Sequence, residues 1–350
     1  MAGRKVEVPV VSADKLKEMG VRVFRGLGVS DKDACTLTDS LVKASLQGVD
    51  SHGVMRIPQY VEDVKRGAVK PGARATTSHR SRFLAIVDGH WNFGHLVTLE
   101  AVKVAVGKAR RSGVGIVGIF NCGHIGRLAD YALKACEADM VGFIAATGPP
   151  MVAPFGGVER MLHTGPICFG IPAGKHPPLV IDISTSATSE GKVRIKLRRG
   201  EKLGEGWIID RDGNPSVDPE DLYRGGALLP MGGNVGYKGF GLGLIVDVLA
   251  GVLTGAGSCT SGKARGNGVF IMVLDIARFK PVQDFKAEVD NLIARVKSSR
   301  TAPGFKEVLI PGEMERRVEE ERGGEGVFVD ERTWRDLVSL DSALNTGGVF

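Results

Sequence analysis

Apolar residues recur along this chain with two periods, and the places where one gives way to the other mark the predicted elements. The first third opens with two helical patterns. Ser12 stands as an N-cap before one of them, and Ser30-Asp31-Lys32-Asp33 resembles a capping box before a second that runs to about Gln47 and stops at Gly48. A turn-rich segment follows, Gly48-Val49-Asp50-Ser51-His52-Gly53-Val54-Met55-Arg56, placing His52 and Arg56 in a loop or on the following short helix. From residue 83 the pattern alternates, predicting strands over 83–88, 115–120 and 141–146 and helices over 98–111 and 125–138. Beyond a Gly/Pro-rich stretch over 148–178 come a strand at 179–183, an apolar helix at 238–253, a strand at 269–274 and an amphipathic helix at 283–296. A charged helix from Glu313, a short strand at 327–329 and a tail complete the pattern. Strands alternating with helices predict an α/β fold, a mixed sheet covered by helices. No repeat, low-complexity segment or clean linker divides the chain, so any domains are discontinuous in sequence.

One glycine motif invites a wrong reading. Gly113-Val114-Gly115-Ile116-Val117-Gly118 fits GxGxxG, but a dinucleotide-binding glycine loop needs a strand before it and a helix starting inside it. Here a helix ends at Arg110-Arg111 and a strand begins, so the glycines are read as a helix stop leading into a strand.

Composition narrows the picture without naming a chemistry. The chain has 350 residues, 43% hydrophobic and 25% charged, enough to bury a large core without disulfides. Its five cysteines show no CxxC pair or zinc-type spacing, which suits free thiols in a reducing compartment. The start, Met1-Ala2-Gly3-Arg4-Lys5, lacks the apolar stretch of a signal peptide, and no run reaches membrane-spanning length; the expectation is a cytoplasmic protein with no membrane partner. The net charge of +6 is dispersed among 40 acidic residues, which argues against nucleic acid. The one dense basic stretch, from Lys192 to Lys202, reads as a solvated loop or a site for anionic ligands. With no HExxH and no histidine pair at helical spacing, no metal site is expected.

Two histidines stand in loop contexts suited to acid/base work. His52 lies four residues before Arg56, and His124 lies in Asn121-Cys122-Gly123-His124-Ile125-Gly126, at the strand end where α/β sheets collect ligands. Either could equally be a structural histidine. Arg56 is either a bidentate carboxylate grip or a surface salt bridge. His90, His95, His163 and His176 carry weaker signals, although His90 and His95 flank a Gly-containing turn and could orient other groups.

Taken together, several segments resemble the type 2 malate/L-lactate dehydrogenases. They are Ser51-His52-Gly53-Val54-Met55-Arg56 with Tyr60, the 121–126 segment with Tyr131-Ala132, Pro149-Pro150-Met151-Val152-Ala153-Pro154-Phe155-Gly156-Gly157, Asp182-Ile183-Ser184-Thr185-Ser186 with Gly191-Lys192, Gly206-Trp207, Lys238-Gly239-Phe240-Gly241-Leu242 and Pro311-Gly312-Glu313. They occur in family order over nearly the whole chain. The resemblance implies a homodimeric NAD- or NADP-dependent oxidoreductase on a non-Rossmann dinucleotide-binding fold. Its substrate would be a small 2-hydroxy or 2-oxo acid, malate or L-lactate first, with a cyclic imine or diketo acid as the alternative within the family. It assigns His124 as acid/base, His52 as a second histidine at the substrate and Arg56 as the carboxylate binder. Asp182, Ile183, Ser184, Thr185, Ser186, Lys238, Gly239, Pro311, Gly312 and Glu313 would surround the dinucleotide, the short side chains and free N–H groups of 184–186 meeting phosphate or ribose oxygens. It also suggests a helical segment 1–75 packing with 311–350, and an α/β region 76–310. A non-catalytic nucleotide-binding protein would have no need to keep His52, Arg56, His124 and Lys238 together.

Two departures stand out. Relatives often have Asn-Ser or Asn-Thr where this chain has Thr147-Gly148, so a cofactor-contacting side chain is missing at Gly148. They also often carry Gly-Thr-Asn-Pro where it reads His163-Thr164-Gly165-Pro166.

Overall fold

The computed structural model describes residues 9–262 and 265–345. The opening Met1 to Lys5 and the last residues of the 311–350 segment lie outside the described residues. The centre of the molecule is a seven-stranded sheet in the order Thr76–His79, Leu84–Asp88, Val114–Cys122, Asn267–Asp275, Met140–Thr147, Ile167–Ile171, Leu179–Ile183. Only Leu84–Asp88 and Val114–Cys122 run parallel; every other pairing is antiparallel. The expected mixed sheet is therefore present, and it is not the parallel, doubly wound arrangement that uses a glycine loop for a dinucleotide. The strand Asn267–Asp275 makes the difference, inserting between two strands that precede it by more than a hundred residues.

The rejected glycine motif does structural work. The helix spans Gly94–Ser112 and ends on Gly113, whose φ of 83° is left-handed and whose N–H donates to the Ala109 carbonyl at 2.7 Å. At Gly115 a Cβ would run into the Ala105 carbonyl. The missing side chain lets the helix lie directly on the strand, closing a core of Ala101, Val102, Ala105 and Ala109 against Val117, Ile119 and Ile271. On the other face, the helix Tyr237–Asp247 continues as a π-turn over Val248–Val252 and covers Ala145, Ile167 and Phe270 with Val246 and Ala250.

The N-terminal helices Ala13–Gly26 and Asp31–Leu46 start on the expected caps, Ser12 accepting from the Lys15 N–H and Ser30 from the Asp33 N–H. They share a core with the C-terminal part: Leu16, Phe24, Leu37, Leu41 and Tyr60 pack with Val327, Val329 and Leu337. The short strand Val10–Val11 pairs with Val327–Phe328, and Arg22 forms a bidentate ion pair with Asp341. The short helix expected after the His52–Arg56 turn is Ile57–Lys65, whereas the helices Pro219–Tyr223 and Glu331–Asn345 are not among those the sequence predicts. A third lobe holds the small sheet Ala227–Leu228, Ile208–Ile209, Pro215–Ser216 around Val152, Val193, Leu203 and Leu222.

The basic stretch from Lys192 is corrected here. Rather than a loop it is mostly the helix Glu190–Arg199, capped by Ser189 and ended by left-handed Gly200. Reading it by charge alone hid the fully buried Val193 that anchors it.

The helix-on-strand contact predicts a sharp contrast. Gly115→Ala should cost about 3 kcal/mol, the upper end of the overpacking range, because backbone stands in the way. Gly107→Ala, on the same helix with open space at its Cβ, should be neutral or slightly stabilising. Urea unfolding of the two variants measures both.

Candidate active site

A cleft of about 970 Å³ opens between the N-terminal helices, the sheet end and the helix Glu190–Arg199, at the upper end of the size range of ligand sites. His52, Arg56, His124, Asp182, Ile183, Ser184, Ser186 and Gly312 all line it.

His52 sits on the 3-10 turn Asp50–His52 and Arg56 on the next, Val54–Arg56, which runs straight into Ile57–Lys65. Ser51 Oγ lies 3.0 Å from His52 Nδ1. Arg56 is 8% exposed, and its Nε donates to the Ser51 carbonyl and its Nη1 to Gln59 Oε1, both at 2.6 Å. Among the described residues no carboxylate forms a salt bridge with it, which removes the surface-ion-pair alternative. Glu190, whose charge acts on Arg56, is already held by Arg194 at 2.8 Å and by the Tyr223 hydroxyl at 2.9 Å.

His124 lies in the loop between Val114–Cys122 and the helix Ala129–Cys136. That helix was expected from residue 125; it starts later because the Asp182 carboxylate accepts the Ala129 N–H at 2.8 Å and caps it from across the cleft. The segment 123–128 is thereby left as loop. His124 Nδ1 is 2.7 Å from the Tyr60 hydroxyl and 3.3 Å from the Gly126 N–H, leaving Nε2 for the cleft. Nδ1 accepts from the Gly126 N–H, so the neutral ring carries its proton on Nε2 while the Tyr60 hydroxyl donates to Nδ1; turning that hydroxyl to accept from an Nδ1–H instead leaves Nε2 bare as a base. The imidazoles of His52 and His124 stack, with centroids 5.6 Å apart and planes at 18°.

Burial first, and the Arg56 charge second, hold both rings neutral: His52 falls to about 3 and His124 well below the ordinary histidine value. An anion bound at Arg56 cancels part of that repulsion and raises both. The arrangement therefore binds an anion and, in doing so, readies an adjacent imidazole to take or give a proton.

The dinucleotide residues fare unevenly. Ser184 Oγ donates to the Ser186 carbonyl, Thr185 Oγ1 to the Thr164 carbonyl and Ser186 Oγ to the Thr188 carbonyl. The Thr185 N–H is also spent, on the Thr164 carbonyl at 2.9 Å, so the expectation of free N–H groups through 184–186 is corrected at that residue. Lys238 is exposed on the helix Tyr237–Asp247, with Nζ 6.0 Å from the Tyr237 ring centroid, and does not line the cleft. Gly239 packs beneath it on Met231. Gly312 reaches the cleft, whereas Pro311 accepts the Val180 N–H and Glu313 pairs with Lys297 at 2.6 Å. His90 bonds Thr76 outside the cleft, and the His176 N–H bonds Asp290.

Several residues in or behind the cleft carried little or no signal in the sequence. Tyr60 stands one helical turn beyond Arg56, a spacing that could have flagged it. Asn267 accepts the Ile125 N–H at 3.1 Å and donates to the Thr147 carbonyl at 2.9 Å. Its contacts span more than a hundred residues, and no local pattern points to them. Arg127, 4% exposed, donates to Gln47 and Asp130 and keeps a buried Nε without a hydrogen-bond partner. His95 is 1% exposed with both ring nitrogens unpartnered, edge-on to Tyr60 at 5.7 Å and to His124 at 6.4 Å. Among the described residues no group of three or more His, Cys, Asp or Glu side chains is placed to hold a metal ion, and no helix is long and apolar enough to cross a membrane.

An anion grip beside two neutral histidines in a deep cleft, on this mixed sheet, defines an acid/base site for small acids. The chain belongs to the malate/L-lactate dehydrogenase family, whose profile matches residues 11–338, and is an oxidoreductase of hydroxy acids. It is similar to the malate dehydrogenase of Pyrococcus horikoshii, 36% identical over 97% of this chain and 96% of that one. It is also similar to the malate/(S)-sulfolactate dehydrogenase of Methanothermus fervidus, 33% identical over 96% and 98%. The solved structure of malate dehydrogenase from Pyrococcus horikoshii OT3 superposes with a TM-score of 0.87 at 35% identity, covering 96% of this chain and 95% of that one.

The packing of His95 predicts acid lability. Burial pushes it down to about 4, while the unfolded chain takes up the same proton near 6.5. Stability is full above that value and falls as pH drops toward 4, because only the unfolded state binds the proton in between. His95→Phe should narrow the difference in unfolding free energy between pH 7 and pH 5 by about 2 kcal/mol, as measured by denaturant titration at the two pH values.

Proposed function

We propose that the protein is an NAD- or NADP-dependent dehydrogenase that interconverts malate and oxaloacetate, or a 2-hydroxy acid of similar size. The observation that carries this reading is Arg56: a buried guanidinium with only neutral partners, beside two stacked histidines. A carboxylate supplies the missing charge and seats its α-carbon next to His124.

The cleft suits an extended dinucleotide. Apolar lining at Leu133, Pro178 and Val180 suits a flat ring, and Ser184 and Ser186 line the same cleft as the histidines. The partnerless Nε of Arg127 supplies positive charge along the way. When bound, the nicotinamide accepts or returns a hydride. In oxidation, the hydroxyl proton passes to His124 Nε2 as the α-hydrogen leaves with its electron pair, and Tyr60 takes the Nδ1 proton in a hydrogen bond that steadies the imidazolium. In reduction, the imidazolium returns its proton to the carbonyl oxygen. His52 completes the wall and holds the substrate against His124 by stacking.

We read the assembly as a homodimer. Leu244, Ile245, Val248, Val252 and Leu253, each at least 45% exposed, form an apolar outer face on one helix. The free cysteines suit the cytoplasm.

Oxidation of NADH and NADPH followed spectrophotometrically against oxaloacetate, pyruvate and sulfopyruvate tests the activity and names the cofactor. His124→Ala should keep cofactor affinity and lose at least about 100-fold in kcat, the share that general acid/base catalysis supplies. An undiminished rate would transfer the proton to His52.

A further inference from the structure

The helix Glu190–Arg199 meets the cleft with its first turn: Ser189, Glu190, Gly191 and Lys192 all line it. Gly191 packs on the turn that carries His52, so closely that a Cβ there would stand 2.6 Å from Ser51 Cβ and 3.2 Å from Arg56 Nη2. The positive end of the helix dipole therefore abuts the Arg56 guanidinium. Nη2 of that guanidinium, unlike Nε and Nη1, donates to nothing among the described residues. Lys192 is the next residue along the helix, its Cα about 3.8 Å from that of Gly191.

Three cations stand on this wall, and they differ in what answers them. Arg194 is held by the Glu190 carboxylate through Nε and Nη2, at 2.8 to 3.0 Å, and is neutralised. Arg56 has only neutral partners. Lys192 is exposed and, among the described residues, forms no ion pair; its charge is one of those that keep His52 neutral. Two unanswered positive charges thus face the cleft from adjoining elements, one a planar fork and the other a point charge on a flexible four-carbon stem. A monocarboxylate answers one of them. A 2-hydroxy acid with a second acid group on its side chain answers both.

We propose that Lys192 determines substrate class: it binds the second acid group of a dianionic 2-hydroxy or 2-oxo acid, a carboxylate or a sulfonate, and so selects dianions over lactate-like monoanions. This rests on the dehydrogenase reading given above, with the α-carboxylate at Arg56. The division of labour suits the two side chains. The guanidinium fork matches the planar carboxylate common to all such acids, whereas an ammonium, as a point charge, takes a planar carboxylate or a tetrahedral sulfonate alike.

The test is a comparison of kcat and KM for oxaloacetate, sulfopyruvate and pyruvate, at saturating reduced dinucleotide, in the wild type, Lys192→Met, Lys192→Arg and Lys43→Met. Thermal melts confirm that each variant is folded. Lys192→Met should raise KM for oxaloacetate and sulfopyruvate about tenfold, the worth of one charge-assisted hydrogen bond, and leave KM for pyruvate within about twofold. Its kcat should stay within about threefold, since the lost contact lies away from the reacting carbon. Lys192→Arg, which keeps the charge, should retain most of the preference for dianions, and Lys43→Met, which removes another cation of the cleft lining, should leave the oxaloacetate-to-pyruvate ratio as in the wild type. Equal losses on oxaloacetate and pyruvate in Lys192→Met, or no loss on either, overturn the assignment and leave the dehydrogenase reading standing. So does a wild type that reduces pyruvate as efficiently as oxaloacetate and sulfopyruvate. A wild type that reduces none of the three overturns both.

Discussion

The site is organised around a charge that the fold leaves unanswered. Arg56 is buried among a carbonyl and an amide, and a buried cation without a counter-ion is among the more costly features a protein can keep. Its charge acts on the surroundings: after burial it is the second cause that keeps His52 and His124 neutral. An anionic ligand at Arg56 offsets that charge and raises both imidazoles. On the proposed reading, recognition and acid/base readiness are linked, since the guanidinium that would grip the substrate carboxylate adds to burial in holding His124 neutral.

Much of the scaffold was legible in the sequence because it is written locally. Ser12 and Ser30 cap where their spacing says they should, and 179–183 reads as a strand because its apolar run is bounded by Pro178 and a polar turn. The glycine motif is decoded by the order of elements around it. The helix Glu190–Arg199 was hidden behind its charge, although Ser189 and Gly200 mark both of its ends.

The site was legible only in part. His52, Arg56 and His124 stand in loops whose neighbours hint at chemistry, and the cleft brings the three together. Asp182 also reaches the cleft, yet its carboxylate is occupied in capping a helix. Lys238 lies outside the lining. Asn267 and the unpartnered nitrogens of Arg127 and His95 gain meaning only from tertiary packing, through contacts that no periodicity encodes.

The pairing of Val10–Val11 with Val327–Phe328 carries a consequence for how the molecule is made. The N-terminal helices that present His52 and Arg56 emerge early from the ribosome, but the strand and helix that complete their core are synthesised some three hundred residues later. Until then their apolar faces have no permanent cover, and a closure between such distant segments is slow. The wall that carries His52 and Arg56 is therefore complete only once these two distant segments have met.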